Sequence, residues 1–190
     1  MKLAPALAAL ALLWPVCVLA FDVGPAVGTR APALRATDMA GKSVDVHSIS
    51  GRKGVVLLFF RSAKWCPYCQ KQLIEFRDAQ APLEARGYRL AAISYDPPAV
   101  LTAFAAQRRI GYQLLSDAGS ATIDAFALRD PQYKPGSFAY GVPRPAIFVI
   151  SRKGIIEAKL AEEGFKVRPS VQAVLSAVDD LAHKQTGARS

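Results

Sequence analysis

Two cysteines three residues apart, Cys66 and Cys69, are the side chains of this sequence best suited to chemistry. They stand in the run Trp65-Cys66-Pro67-Tyr68-Cys69. If the run opens a helix, positions i and i+3 share a face and the two sulfurs come within bonding reach. A helix N-terminus presents unpaired N–H groups and a partial positive charge, which favour a thiolate on the first cysteine. Pro67 suits the first helical position, where a missing N–H costs nothing. Arg61, Lys64 and Lys71 flank the pair and add positive charge that would hold a thiolate. The pattern predicts an exposed, nucleophilic Cys66 and a more buried, resolving Cys69. A structural disulfide and half a zinc site are the competing readings. A disulfide across so short a loop constrains the unfolded chain little. Zinc takes about four ligands, and the two histidines, His47 and His183, are far away in sequence.

The elements around the pair are legible from periodicity. Residues 55–60 form a continuous apolar run with β-branched and aromatic members, which predicts a strand buried on both faces and ending just before the cysteines. Leu73, Phe76, Ala79 and Leu83 recur at helical spacing, with Pro82 expected to kink or end that helix. Residues 88–95, 113–115 and 146–150 read as further strands, and 155–160 as the return of a hairpin over Arg152-Lys153-Gly154. Helices are predicted after Pro97-Pro98, over 121–128, and after an N-capping Ser170. Residues 34–46 hold two short strand-like pieces about a turn, and 130–141, rich in Pro and Gly, read as a loop. Alternating strands and helices with a closing hairpin predict an α/β three-layer sandwich, a mixed β-sheet flanked by helices.

The chain has 190 residues, a formal charge of +9 and three cysteines. That length fits one domain able to bury a core without covalent staples, and so few cysteines exclude a disulfide-rich scaffold. Residues 1–20 carry a single charge, Lys2, then an apolar run ended by Pro15, then Val18-Leu19-Ala20 before Phe21. This pattern predicts a signal peptide, with a retained membrane anchor as the alternative. Cys17 reads as an ordinary small apolar residue of that segment. Residues 21–32 form a Gly- and Pro-rich lead-in, and 33–187 the folded domain. The expected location is an exported one, periplasmic first, with secreted or membrane-anchored forms as alternatives. There a cysteine pair is permitted to be a disulfide. Nucleic acid is not an expected partner, because the basic residues are scattered and the aromatics lie in apolar strands.

The cysteine run after an apolar strand resembles the thioredoxin superfamily motif, and its central Pro-Tyr is the dipeptide typical of glutaredoxins. Gly28-Thr29-Arg30-Ala31-Pro32, Asp38-Met39-Ala40-Gly41-Lys42 and Cys66-Pro67 resemble the opening of the alkyl hydroperoxide reductase/thiol-specific antioxidant (redoxin) branch. Residues 144–150, followed by Lys153-Gly154, resemble the end of that domain. The resemblance implies a thioredoxin-like fold and a redox-active Cys66–Cys69 disulfide, with no cofactor or metal. It also implies that Pro145 is a cis-proline set against the cysteines, and that Arg144 lies near the Cys66 sulfur. Trp65, Pro67 and Tyr68 would support substrate.

Departures from the family pattern direct the functional expectation. Peroxiredoxins carry Pro-x-x-x-Thr-x-x-Cys about the peroxide-reactive cysteine; counted from Cys66, those positions hold Phe59 and Ala63. An arginine of that pattern falls where Pro145 stands. Thioredoxins place a buried aspartate where this chain has Phe60, so a buried carboxylate must come from elsewhere or be absent. The first expectation is therefore a thiol–disulfide oxidoreductase acting on protein disulfides or dithiols with a thiol electron donor or acceptor. The second is a thiol peroxidase with Cys66 peroxidatic and Cys69 resolving. The third is a copper-delivery module on the same fold.

Overall fold

The computed structural model describes residues 23–187; the expected signal segment lies outside them. Seven strands form one mixed sheet in the order β2-β1-β5-β4-β3-β6-β7. The strands are β1 (Ala36–Thr37), β2 (Ser43–Val44), β3 (Gly54–Phe59), β4 (Tyr88–Ser94), β5 (Gln113–Ser116), β6 (Ala146–Ser151) and β7 (Ile156–Leu160). β3, β4 and β5 run parallel, while β6 lies antiparallel to β3 and β7 antiparallel to β6. The helices are α1 (Val46–Ile49), α2 (Pro67–Glu75), α3 (Gln80–Ala85), α4 (Pro98–Arg108), α5 (Ala121–Ala125) and α6 (Val171–Gly187). The three-layer sandwich expected from the sequence is the architecture seen.

β3 shows why its sequence is apolar on both sides. Val56, Leu58 and Phe60 face a core made with Leu73, Phe76, Leu83, Leu101, Phe104, Val174 and Val178. Val55, Leu57 and Phe59 face the other core, with Ile49, Ile123, Phe126 and Phe148. Strand alternation thus serves two helical layers at once. Gly54 begins the strand because a Cβ there would meet the Ile150 carbonyl oxygen at 2.0 Å. β3 lies inside the sheet between β4 and β6 and is buried along its whole length, so the site at its C-terminal end rests on an enclosed strand.

Two details differ from expectation. The helix after the cysteines breaks before Pro82: a 3-10 turn over Phe76–Ala79 separates α2 from α3, and Pro82 lies inside α3. The proline ring conflicts with the carbonyl four residues earlier, that of Asp78, so its effect falls upstream. The lead-in is also more than a tether. Val23 is buried, and the Gly28 and Ala31 N–H groups donate to Ile156 and Gly154 carbonyls, which fixes the lead-in along β7.

Candidate functional site

α2 starts where the sequence places it. Cys66 is its N-cap, with extended backbone, and Pro67 is its first residue. The Cys66 sulfur accepts the Cys69 N–H at 3.4 Å. Cys66 is 2% exposed and Cys69 fully buried. The expected exposed Cys66 is thus corrected: the side chain packs into the core cluster that holds Ala63, Cys69 and Leu73. Both cysteines are reduced, and a hydrogen bond joins their sulfurs.

The charge on the pair belongs to Cys69. Its sulfur accepts the Arg61 backbone N–H at 3.3 Å and Arg168 Nη2 at 3.5 Å. Burial pushes the Cys69 thiol up. The hydrogen bond from Cys66, the Arg168 charge and the Ser62 and Arg61 backbone groups outweigh burial and bring it down to about 6. Cys66 moves the other way, held protonated by its hydrogen bond to Cys69, by burial and by the adjacent Cys69 charge. The two thiols titrate as a coupled pair, and the donors on the Cys69 sulfur favour its thiolate over that of Cys66.

The cations singled out in the sequence lie elsewhere. Lys64 is exposed, Lys71 pairs with Glu75 at 3.7 Å, and Arg144 Nη2 donates to the Ala127 carbonyl at 2.9 Å. Arg144 is therefore not the cation on the sulfurs. The Arg144 N–H donates to the Leu128 carbonyl, which holds the approach to β6. Every described peptide bond is trans, so Pro145 is not a cis-proline. That anchored, extended approach leads straight into β6 without a cis turn. Pro145 and Arg144 line a cleft with Asp130 and Phe165. His47 contacts Arg152 Nη2, at the start of β3 and the opposite end of that strand from the cysteines.

Among the described residues Arg61 is the largest fully buried side chain, at 1% exposure. Its guanidinium lies 4.3 Å from the Phe165 ring centroid, 5.1 Å from Tyr133 and 5.4 Å from Trp65, and it donates to the Tyr133 hydroxyl. An aromatic cage thus takes the place of a carboxylate around this cation. Trp65 Nε1 donates to the Tyr95 hydroxyl at 2.9 Å, which pins the residue before Cys66. Tyr68, 40% exposed, meets the Phe165 ring at 5.9 Å.

A buried carboxylate, Asp96, lies just past the C-terminal end of β4. It accepts the Ala63 N–H at 2.7 Å, the Ser62 hydroxyl at 2.8 Å and the Ser94 hydroxyl at 3.1 Å. Ser62 Oγ in turn accepts the Lys64 and Trp65 N–H groups. Burial raises the Asp96 pKa, against the pull of these donors. An aspartate just past a strand beside β3, before Pro97-Pro98, was the sequence signal that could have found it. The network fixes the loop from which Cys66 starts. Asp96→Ala leaves three buried donors unpaired and is expected to cost about 3 kcal/mol of stability, as measured by urea unfolding of the reduced protein.

Residues 27–159 match the AhpC/TSA family. The chain belongs to the AhpC/TSA family. Chloroplast peroxiredoxin Q from Populus jackii is 28% identical, covering 68% of this chain and 57% of its own length. Its counterpart from Arabidopsis thaliana is 30% identical, covering 68% and 56%. The chain thus spans little more than half the length of these curated relatives. Solved structures share the fold. Peroxidoxin BcpB from Mycobacterium tuberculosis superposes with a TM-score of 0.69 at 23% identity, covering 85% of this chain and 98% of that one. A peroxiredoxin-like protein from Aquifex aeolicus gives 0.69 at 21%, covering 84% and 90%. The AhpC/TSA domain carries its cysteines at the expected place after β3, and its curated relatives are peroxiredoxins, which are thiol-dependent oxidoreductases.

Proposed function

We propose that this AhpC/TSA protein is a thiol peroxidase in which Cys69 attacks the peroxide and Cys66 resolves. The observation that carries the reading is the pair of donors on the Cys69 sulfur, the Arg61 N–H and the Arg168 guanidinium. Counted back from Cys69 rather than Cys66, Pro-x-x-x-Thr-x-x-Cys places its threonine at Cys66 and its proline at Ser62. The threonine position then holds a thiol that hydrogen-bonds the nucleophile.

In the reaction the Cys69 thiolate takes the terminal oxygen of a hydroperoxide. The O–O bond breaks, the alcohol leaves after gaining a proton, and Cys69 becomes a sulfenic acid. The Cys66 thiol then attacks the Cys69 sulfur and water leaves, giving the disulfide. The pair has lost two electrons, which an external thiol restores by exchange. Disulfide exchange with proteins is the second reading, favoured by the Cys-Pro-Tyr-Cys spacing itself. Export belongs to the proposal too, on the residue pattern of positions 1–20.

One experiment tests the reading. Reduced protein is mixed with one equivalent of hydrogen peroxide, or with one equivalent of a small protein disulfide, and free thiols are counted over time. The expected result is loss of two thiols per chain, faster with peroxide than with the protein disulfide. Faster reaction with the disulfide would replace the peroxidase reading with the exchange reading.

A further inference from the structure

The sequence scatters its basic residues, and the fold collects six of them at one edge of the sheet. β3 and β4 run parallel and begin at that edge, and β6, antiparallel to β3, ends there. Arg52 and Lys53 precede β3, Arg89 is the second residue of β4, and Arg152 and Lys153 follow β6. Arg30 bridges to Ile155 just before β7, and its Nη1 donates to the Lys153 carbonyl at 3.1 Å. All six are exposed. Along the strand order β4-β3-β6-β7 they form a row stepped by neighbouring strands, about 5 Å apart. The row lies over two clefts of about 560 and 740 Å³ that share Arg52, Tyr88 and Arg152 as walls.

Among the described residues none of the six forms an ion pair, and the side chains of Arg52, Lys53, Arg89 and Lys153 make no hydrogen bond. Arg152 is held in place, with Nη1 donating to the Gly51 carbonyl at 3.1 Å and Nη2 lying 2.9 Å from His47 Nε2. The carboxylates of the clefts, Glu157 and Glu84, accept the Tyr88 hydroxyl at 3.0 Å and the Gln80 amide at 3.2 Å. Like charges held side by side repel, and an external anion relieves that repulsion. Arg52, Arg89 and Arg152 present planar guanidinium groups, which match phosphate bidentately. What else the clefts contain decides the form of that phosphate. Tyr88 is 2% exposed and His47 is taken up by Arg152, so bases have no free ring to stack on. The exposed large apolar side chains, Val27, Tyr68, Phe138, Tyr140 and Val167, lie outside both clefts, so none anchors a bilayer there. We propose that this groove binds a soluble linear polyphosphate, whose successive phosphates run along the row of cations.

The groove stands at the opposite end of β3 from the cysteines, about 20 Å away along the strand, so its occupancy does not depend on the sulfur chemistry. Reduced full-length protein is titrated calorimetrically with sodium tripolyphosphate and with a longer sodium polyphosphate in about 0.15 M salt. Both are expected to bind, the longer chain more tightly, with affinity falling steeply as salt is added, because binding releases counterions. Arg52→Gln/Arg89→Gln removes two side chains that hold no part of the fold, and is expected to weaken binding by about tenfold or more, the worth of at least one charge-assisted hydrogen bond. Lys42→Gln/Lys134→Gln removes the same charge from exposed loops outside the clefts and is expected to bind as wild type does. Absence of binding by wild type, or equal loss in the two double variants, would overturn the site. A single-stranded oligonucleotide and vesicles containing phosphatidylglycerol are titrated in parallel, and both are expected to bind more weakly than the longer polyphosphate. Tighter binding of either, lost in Arg52→Gln/Arg89→Gln, would overturn polyphosphate as the ligand and put nucleic acid or membrane in its place.

Discussion

Cys69→Ser is expected to abolish the reaction with hydrogen peroxide, and Cys66→Ser to preserve its first step. Serine at 69 leaves Arg168 and the Arg61 N–H aimed at a hydroxyl that does not ionise near neutral pH. The remaining thiol, Cys66, then has no cation hydrogen-bonded to its sulfur, and burial favours its protonated form. The loss should be roughly a thousandfold or more in the second-order rate, as for removal of a nucleophile that acts as part of a unit. Cys66→Ser keeps both donors on Cys69 and puts a hydroxyl where the thiol was. Its peroxide reaction should stay within about tenfold of wild type, but it stops at the sulfenic acid, because no second thiol condenses with it. A carbon nucleophile selective for sulfenic acid should label Cys69 in that variant, and excess peroxide should carry it on to the sulfinic acid. Stopped-flow measurement with mass spectrometry reads both outcomes. The mirror-image result, with Cys66→Ser dead and Cys69→Ser labelled at Cys66, would restore the assignment that the sequence pattern alone suggests.

That reversal of roles shows where local pattern ends. The strand, the helix start and the cysteine spacing depend on neighbours within a few residues, so periodicity and capping chemistry reveal them. Burial of Cys66 depends on which way an N-cap side chain turns, and spacing does not encode that. The deciding cation is 99 residues further on, in a connection that carries no regular element. Flanking Arg61, Lys64 and Lys71 were close in sequence and therefore looked like the source of the charge. Their side chains instead meet an aromatic cage, solvent and Glu75, and Arg61 acts on Cys69 through its backbone. No carboxylate stands at Phe60, but a buried one, Asp96, follows the neighbouring strand β4 and holds the loop before Cys66. A parallel β3–β4 pair brings both strand ends to the same edge, so the same edge can be supplied from either strand. Arg144 and Pro145 were read from position before β6, but an anchored trans backbone turns that approach to structural use.

Arg168→Met should raise the pH at which Cys69 becomes reactive by about 1–2 units, the usual effect of removing an opposite charge in contact. In wild type, alkylation by iodoacetamide is expected to follow one thiol with a midpoint near 6. The sign follows from which form the cation favours. Arg168 stabilises the thiolate, so its loss favours the thiol, and the reactive form appears only at higher pH. The variant also changes how freely reagent reaches the sulfur, so the midpoint rather than the amplitude is the measure. Arg168→Lys should return the midpoint part of the way, because an ammonium restores charge but not the planar guanidinium geometry. Peroxide reactivity should then fall most at pH 6 and recover toward pH 9. A uniform loss at every pH with an unmoved midpoint would mean that Arg168 supports the fold around the cysteines and does not hold the charge on Cys69.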